Sequence, residues 1–137
     1  MAGRHEVRQA AFLLSFEKLF LDDELDAIFE GAEELDEFIP INDEVKALVR
    51  GVFDKQNELD EIIAKYSDKR AVNRIPKVDL AVLRIAIYET LYDDKVPVNV
   101  AISEAVGLAE KYALDADVSF VNGLLGAFAK DLKKDKD

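Results

Sequence analysis

Hydrophobic residues recur at intervals of three and four positions along almost the whole chain, which is the spacing of one face of an α-helix. No stretch alternates hydrophobic and polar residues over enough positions to predict a strand. Pro40 is expected to end the second helix. Asn42 is expected to cap the third, which is predicted as one helix of about 24 residues with a relaxed geometry near Gly51 or Asn57. The predicted helices cover residues 4–20, 25–35, 42–66, 78–92, 98–112 and 115–132.

The helix predicted over residues 78–92 is apolar around most of its circumference, which is typical of a helix at the centre of a bundle. Pro76 precedes this helix and Pro97 precedes the next, and a proline suits a helix start because its N–H is not needed there. The polar and basic residues 67–75 are expected to form a connector with a short helical turn. Together these features predict an all-α protein with about six or seven helices in two packed helical sub-bundles.

The length and composition of the chain suit one globular domain. It has 137 residues, of which 50% are hydrophobic, so a core can form without disulfides or metals. We therefore expect a single domain over residues 1–137, in which the alternating Lys and Asp residues of 130–137 fray. No apolar run approaches the roughly 18 residues of a membrane span, so we expect a cytoplasmic protein with no membrane partner.

The residue types that carry most enzyme and metal chemistry are nearly absent. The chain has no Cys and a single His, His5, which lies in a polar stretch near the N-terminus. Disulfide frameworks and thiolate zinc sites are excluded, and almost no ligand set remains for transition metals. We therefore expect no catalytic residue, no metal site, no cofactor and no enzymatic activity.

The net charge of −11 is concentrated in one segment. Eleven of the 29 acidic residues lie between residues 22 and 44, which contain no Lys or Arg. The rest of the chain contains 18 acidic residues and 18 Lys and Arg residues and is therefore neutral. The acidic segment does not match a calcium-binding loop, and a solvated helix face is the favoured interpretation. A polyanion could still approach a surface remote from this segment.

The C-terminal half contains four motifs in a fixed order, and the N-terminus adds a fifth. The four are LRIAIYE at 83–89, VPVNVAISEAV at 96–106, LAEKY at 108–112 and FVNGLL at 120–125, and the first helix opens with GRHEVRQAA at 3–11. In order and spacing they closely resemble the NusB family of transcription antitermination factors. The resemblance covers nearly the whole chain, whereas residues 21–60 match by helical pattern alone.

The resemblance implies an all-α fold of two helical sub-bundles and a function in transcription. Members of the family work as a heterodimer with a small-subunit ribosomal protein, which is called NusE in this role. The heterodimer binds the boxA element, a single-stranded RNA in ribosomal RNA transcripts, and joins the antitermination complex on RNA polymerase. We expect the same partners for this chain.

By the same resemblance, five residues are candidates for RNA binding: Arg4, His5, Arg8, Ser119 and Phe120. Arg4 and Arg8 lie one helical turn apart on one face, where guanidinium groups can pair with phosphates or stack on unpaired bases. The alternative interpretation is that they are ordinary solvating residues at the start of a helix. Phe120 can expose its ring to a base, and the alternative interpretation is a place in the hydrophobic core.

Asp79 is the candidate for partner binding, because it matches an acidic position on the family's surface for the ribosomal protein. Gly123 is expected to allow close helix contact. The chain departs from the family at Ser119, where a Lys is common, and at Ala116, Phe12 and Ser15, where polar residues are common. Each departure removes a polar or charged RNA contact, although the basic connector of Lys65, Lys69, Arg70, Arg74 and Lys77 offers a second positive patch.

Two other functions fit parts of this pattern. A helical protein–protein adaptor with a degenerate RNA surface would use the helices at 78–92 and 98–112. A NusB-like domain detached from an rRNA methyltransferase would also share the fold, but the cofactor-binding half is not present in this sequence. Binding of a boxA-like single strand, with and without the ribosomal partner, discriminates between the RNA-binding and adaptor functions.

Overall fold

The protein consists of α-helices joined by short connections. The computed structural model describes residues 3–21, 24–35, 41–67 and 70–136, and these ranges contain seven α-helices, one 3-10 turn and no strand. The chain forms two compact units, Met1–Asp54 and Lys55–Asp137, which confirms the predicted all-α fold with two groups of helices. The helices are α1 (Arg4–Lys18), α2 (Leu25–Leu35), α3 (Asp43–Asp54), α4 (Gln56–Tyr66), α5 (Lys77–Tyr92), α6 (Val98–Tyr112) and α7 (Asp115–Lys136), with the 3-10 turn at Val72–Arg74.

The N-terminal unit is built on the packing of α1 against α2 and α3. Val7 of α1 and Val49 of α3 are among its fully buried side chains. The start of α3 has the predicted cap, because the backbone N–H of Val45 donates to Oδ1 of Asn42 at 2.9 Å. The predicted end of α2 at Pro40 lies outside the described residues.

The single helix predicted over residues 42–66 is wrong, because the chain forms two helices there. Lys55 leaves the helical conformation (φ −104°, ψ 12°), so that α3 ends at Asp54 and α4 begins at Gln56. The apolar spacing continues across this break, since Val52 and Leu59 are seven residues apart, as two positions on one helix face are. Periodicity alone therefore does not detect an interruption of one residue.

Helix α5 is the centre of the C-terminal unit and packs against α4, α6 and α7. Ten of its 16 residues are buried, which confirms the prediction from its apolar circumference. Three of the ten are the charged residues Asp79, Arg84 and Glu89. Arg84 forms a bidentate ion pair with Asp60 on α4, in which its Nε and Nη2 donate to the two carboxylate oxygens, each at 2.9 Å.

Helix α7 runs into the segment of alternating Lys and Asp residues and continues to Lys136. Fraying of residues 130–137 stays a prediction. The hydroxyl of Tyr66 donates to Asp131 at 2.6 Å, which fixes this part of α7 to α4. Gly123 does not serve a close helix contact, because a Cβ there would meet no atom within 4 Å.

Within the described ranges, no helix combines the length and the apolar character needed to cross a membrane.

Replacing Asp60 with Ala is expected to lower the free energy of unfolding by about 2 to 4 kcal/mol, because it leaves a buried guanidinium without its carboxylate. Urea denaturation measures this loss. Glu61→Ala, an exposed change on the same helix, serves as the control and should stay within about 0.5 kcal/mol of the parent. A loss from Asp60→Ala as small as that of the control would show that Arg84 does not depend on Asp60.

Candidate nucleic-acid interface

The first turn of α1 presents two of the predicted RNA-binding residues. The helix begins at Arg4 after the extended Gly3, and His5 is exposed. The Nη1 atom of Arg4 lies 3.2 Å from Oε2 of Glu44, with side chains 36% and 54% exposed, so this ion pair is open to water. A phosphate can therefore compete with Glu44 for the guanidinium.

Arg8 differs from Arg4 although the two were predicted to share one exposed face. Its exposed fraction is only 4%. The reason is its position one turn further along α1, where its neighbours around the helix, Val7 and Ala11, are fully buried. RNA contact by Arg8 stays a prediction, and it requires the side chain to leave its buried position.

The other two predicted RNA-binding residues, Ser119 and Phe120, lie near the start of α7. Ser119 is exposed and Phe120 is half-buried. The Arg70 guanidinium covers the Phe120 ring, with its carbon 4.5 Å from the ring centroid. The sequence analysis did not predict this cation–π contact. The sequence shows Arg70 only as one of several basic residues in the connector, 50 positions from the ring it covers.

An open groove with a volume of about 760 Å³ lies between the connector and the start of α7. Two arginines supply positive charge, and Asp117 supplies negative charge. The apolar surface of the groove includes Leu114, which is 76% exposed. The residues lining the groove are Ser67, Arg70, Arg74, Pro76, Leu114, Asp117 and Phe120.

Asp79, the predicted partner-binding residue, is not a surface residue. Its exposed fraction is 0%, and neither carboxyl oxygen has a hydrogen-bond donor among the described residues. The position at the third residue of α5 carries it into the bundle, because α5 is buried from its first turn onward. An ion pair with a partner at the surface is therefore not available in this conformation.

The environment of Asp79 makes its carboxyl group unusually basic. Burial is the largest cause, the neighbouring Asp117 adds to it and Arg70 opposes it, and together they raise the pKa of Asp79 to about 7. Protonated Asp79 can donate a hydrogen bond to Asp117, which two ionised carboxylates cannot form. Asp117 in turn lies 4.0 Å from Nη1 of Arg70. Asp79, Asp117, Arg70 and Phe120 thus form one connected cluster in the C-terminal unit.

The predicted site residues therefore fall into two groups, one in each unit. Arg4 and His5 stand together on the first turn of α1. Ser119 and Phe120 stand on α7, next to the cluster that includes Asp79. In the described part of the chain, no group of three or more His, Asp or Glu residues could hold a metal ion. Two of the acids in segment 22–44, Asp26 and Glu44, pair with arginines.

Comparison with known proteins gives a consistent result. Residues 3–130 match the sequence profile of the NusB family. The chain is 39% identical to the transcription antitermination protein NusB of Ruminiclostridium cellulolyticum over 131 residues, which cover 94% of this chain and 87% of that protein. It is also 39% identical to the protein of the same name from Acetivibrio thermocellus over 129 residues, covering 93% and 89% of the two chains.

Solved structures show the same likeness in three dimensions. NusB of T. maritima superposes with a TM-score of 0.83 at 33% sequence identity, covering 94% of this chain and 92% of that one. A chain from a crystal structure of the antitermination factors NusB and NusE in complex with dsRNA has a TM-score of 0.80 at 26% identity, covering 93% and 96%.

Replacing Asp79 with Asn is expected to stabilise the protein at pH 8 more than at pH 5. The unfolded chain releases this proton near pH 4 and the folded protein near pH 7, so the parent loses stability as pH rises through this window. Asn cannot ionise and avoids the loss. Between pH 5 and pH 8 the advantage of Asn should grow by about 2 kcal/mol, since one pKa unit corresponds to about 1.4 kcal/mol.

Urea denaturation at the two pH values measures this advantage. The control is Asp115→Asn, which removes an exposed carboxylate two residues before Asp117. Its effect should change little with pH. An advantage of Asp79→Asn that is the same at pH 5 and pH 8 would show that Asp79 titrates in its ordinary range.

Proposed function

The chain belongs to the NusB family, and on this basis we propose that it acts as a transcription antitermination factor. With a small-subunit ribosomal protein in the NusE role, it binds the boxA RNA of ribosomal RNA transcripts. The heterodimer then joins the antitermination complex on RNA polymerase. The role is one of binding rather than catalysis, needs no cofactor and is exercised in the cytoplasm, where bacterial transcripts are made.

The observation that carries the proposal is the extent of the family match, which runs over residues 3–130 and so includes both helical units. A partial match would support the fold of one unit only. The likeness to a NusB chain solved together with NusE and dsRNA supports the choice of both partners. The adaptor alternative accounts for the fold but not for Arg4 on α1 or for the two arginines that line the groove.

The charge of the chain supports joint binding of RNA with a partner. The net charge of −11 opposes the approach of RNA to the free protein. Arg4 and Arg70 also have acidic neighbours, Glu44 and Asp117, that compete with phosphates. A basic partner offsets this field and adds its own contacts to the RNA.

The partner role of Asp79 is kept as a proposal with a changed mechanism. Because the carboxyl group is buried, Asp79 acts on a partner through the groove residues above it, Asp117 and Arg70, and not by a direct surface ion pair. Ionisation of Asp79 adds a negative charge beneath these two residues. A basic side chain of the ribosomal protein is then attracted to this end of α5.

The experiment that tests the function measures binding of a boxA single strand to the chain alone and to its mixture with the ribosomal protein. We expect weak binding by the chain alone and binding at least tenfold tighter with the partner, at a matched salt concentration. A scrambled strand of the same length is the control for sequence-independent binding. If the mixture binds both strands equally, or binds neither, the proposed function is wrong.

Replacing Arg4 with Ala is expected to weaken RNA binding by the heterodimer, because it removes one phosphate contact. The slope of log K against log salt should fall by about 0.7, the value for one contact with a single strand. Glu44→Ala is the matched control, since it breaks the same ion pair but keeps the cation. Its RNA affinity should be equal to or higher than that of the parent.

Equal losses in Arg4→Ala and Glu44→Ala would show that the ion pair itself matters. In that case Arg4 does not contact RNA.

A further inference from the structure

The Arg70 side chain has a fixed base and an accessible end. The backbone N–H of Arg70 donates to the carbonyl of Ser67 at 3.2 Å, and Oγ of Ser67 donates to the carbonyl of Arg70 at 2.5 Å. These two bonds hold the backbone at Arg70 in place. Its side chain is nevertheless 41% exposed, so the guanidinium has one side on Phe120 and the rest toward the groove.

The hydrogen-bonding capacity of Arg70 is far from used. A guanidinium has five N–H donors, and Asp117, the acid that forms an ion pair with it among the described residues, lies at 4.0 Å, beyond hydrogen-bond distance. Ser119, the residue beside Phe120 on α7, carries no charge. Positive charge at the Phe120 ring therefore comes from the connector, through Arg70.

We propose that Arg70 is an RNA-binding residue: its guanidinium and the Phe120 ring beneath it form a two-layer platform on which one unpaired base stacks. Arg74, which lines the same groove, pairs with a phosphate next to that base. The inference rests on the proposed function and specifies where in the C-terminal unit a nucleotide is held. It assigns a role to Arg70 that its place among the basic connector residues does not reveal.

The other walls of the groove suit a nucleotide. A flat base stacks well on a guanidinium plane, and this contact is independent of base identity because every base has a π-face. The exposed Leu114 and Pro76 offer apolar surface to the edge of the base or the ribose. An acidic peptide would also pair with two arginines, but its acidic side chains would not stack on the platform.

The test replaces Arg70 with Gln and with Lys in the full chain and measures binding of boxA RNA in the presence of the ribosomal protein. Gln removes both charge and planar cation, so the affinity should fall by between about fivefold and a hundredfold, the range for loss of one stacked base. The salt slope should fall by about 0.7 if the guanidinium also pairs with a phosphate. Lys keeps the charge and the slope but should still lose several-fold in affinity.

The chain supplies a matched control for these substitutions. Arg50 lies 5.1 Å over the ring of Phe29 and pairs with Asp26, which repeats the arrangement of Arg70, Phe120 and Asp117 on the N-terminal unit. Arg50→Gln should leave RNA affinity within about twofold of the parent, because Arg50 does not line the groove. Loss of the same size in both Gln variants would overturn the inference, because any arginine would then serve.

A double variant separates stacking from a purely structural role. Phe120→Leu removes the ring and should also weaken RNA binding. If Arg70 and Phe120 act as one platform, the variant with both changes loses less affinity than the product of the two single losses. A double variant whose loss equals that product would overturn the platform, as would Arg70→Gln with parental RNA affinity. Thermal melting checks that each variant is folded.

The same data distinguish failure of this inference from failure of the proposed function. If the parent complex does not bind boxA RNA, both are wrong. If the parent binds and Arg70→Gln binds equally well, only the platform is wrong. Should Arg70→Gln keep its RNA affinity but lose binding of an oligoglutamate peptide, the groove is a peptide site and the inference is overturned.

Discussion

Burial of helix α5 on nearly every side is the constraint on which the C-terminal unit depends. A helix without a solvent face needs neighbours all around it, and α4, α6 and α7 provide them. Charged residues in such a helix must be paired or neutral, since an isolated buried charge is costly. Arg84 is paired with Asp60 by two hydrogen bonds. Among the described residues Asp79 has no such donor, and the rise of its pKa to about 7 favours the neutral form instead.

The position of Asp79 connects this constraint to the candidate site. It lies in the first turn of α5, where the connector and the start of α7 meet. Asp117 is one of the causes that raise its pKa, and Asp117 is also an acidic neighbour of Arg70. The charge state of a core residue therefore sets the charge beneath the groove.

The sequence predicted those features that depend on local periodicity, and missed those that depend on one residue or on distant pairs. The central place of α5 follows from its apolar circumference, and the cap at Asn42 from its side chain alone. The break at Lys55 was not predicted because the apolar spacing continues through it. Burial of Arg8 was not predicted because helical spacing shows which residues share a face. It does not show how far along the helix other parts of the protein cover that face. The contact between Arg70 and Phe120 joins positions 50 residues apart and has no local signal.

Pairing of arginines with nearby acids explains why net charge is a poor guide to what this protein binds. Arg4, Arg50 and Arg70 each have an acidic neighbour, and two of the three also cover an aromatic ring. A phosphate that binds such an arginine replaces a carboxylate, so the Coulombic gain is a difference between two similar attractions. The affinity that remains must come from what a carboxylate cannot offer, namely a flat base for the guanidinium and positive charge from a second protein. This is the physical basis of the proposed coupling between binding of RNA and binding of a basic partner.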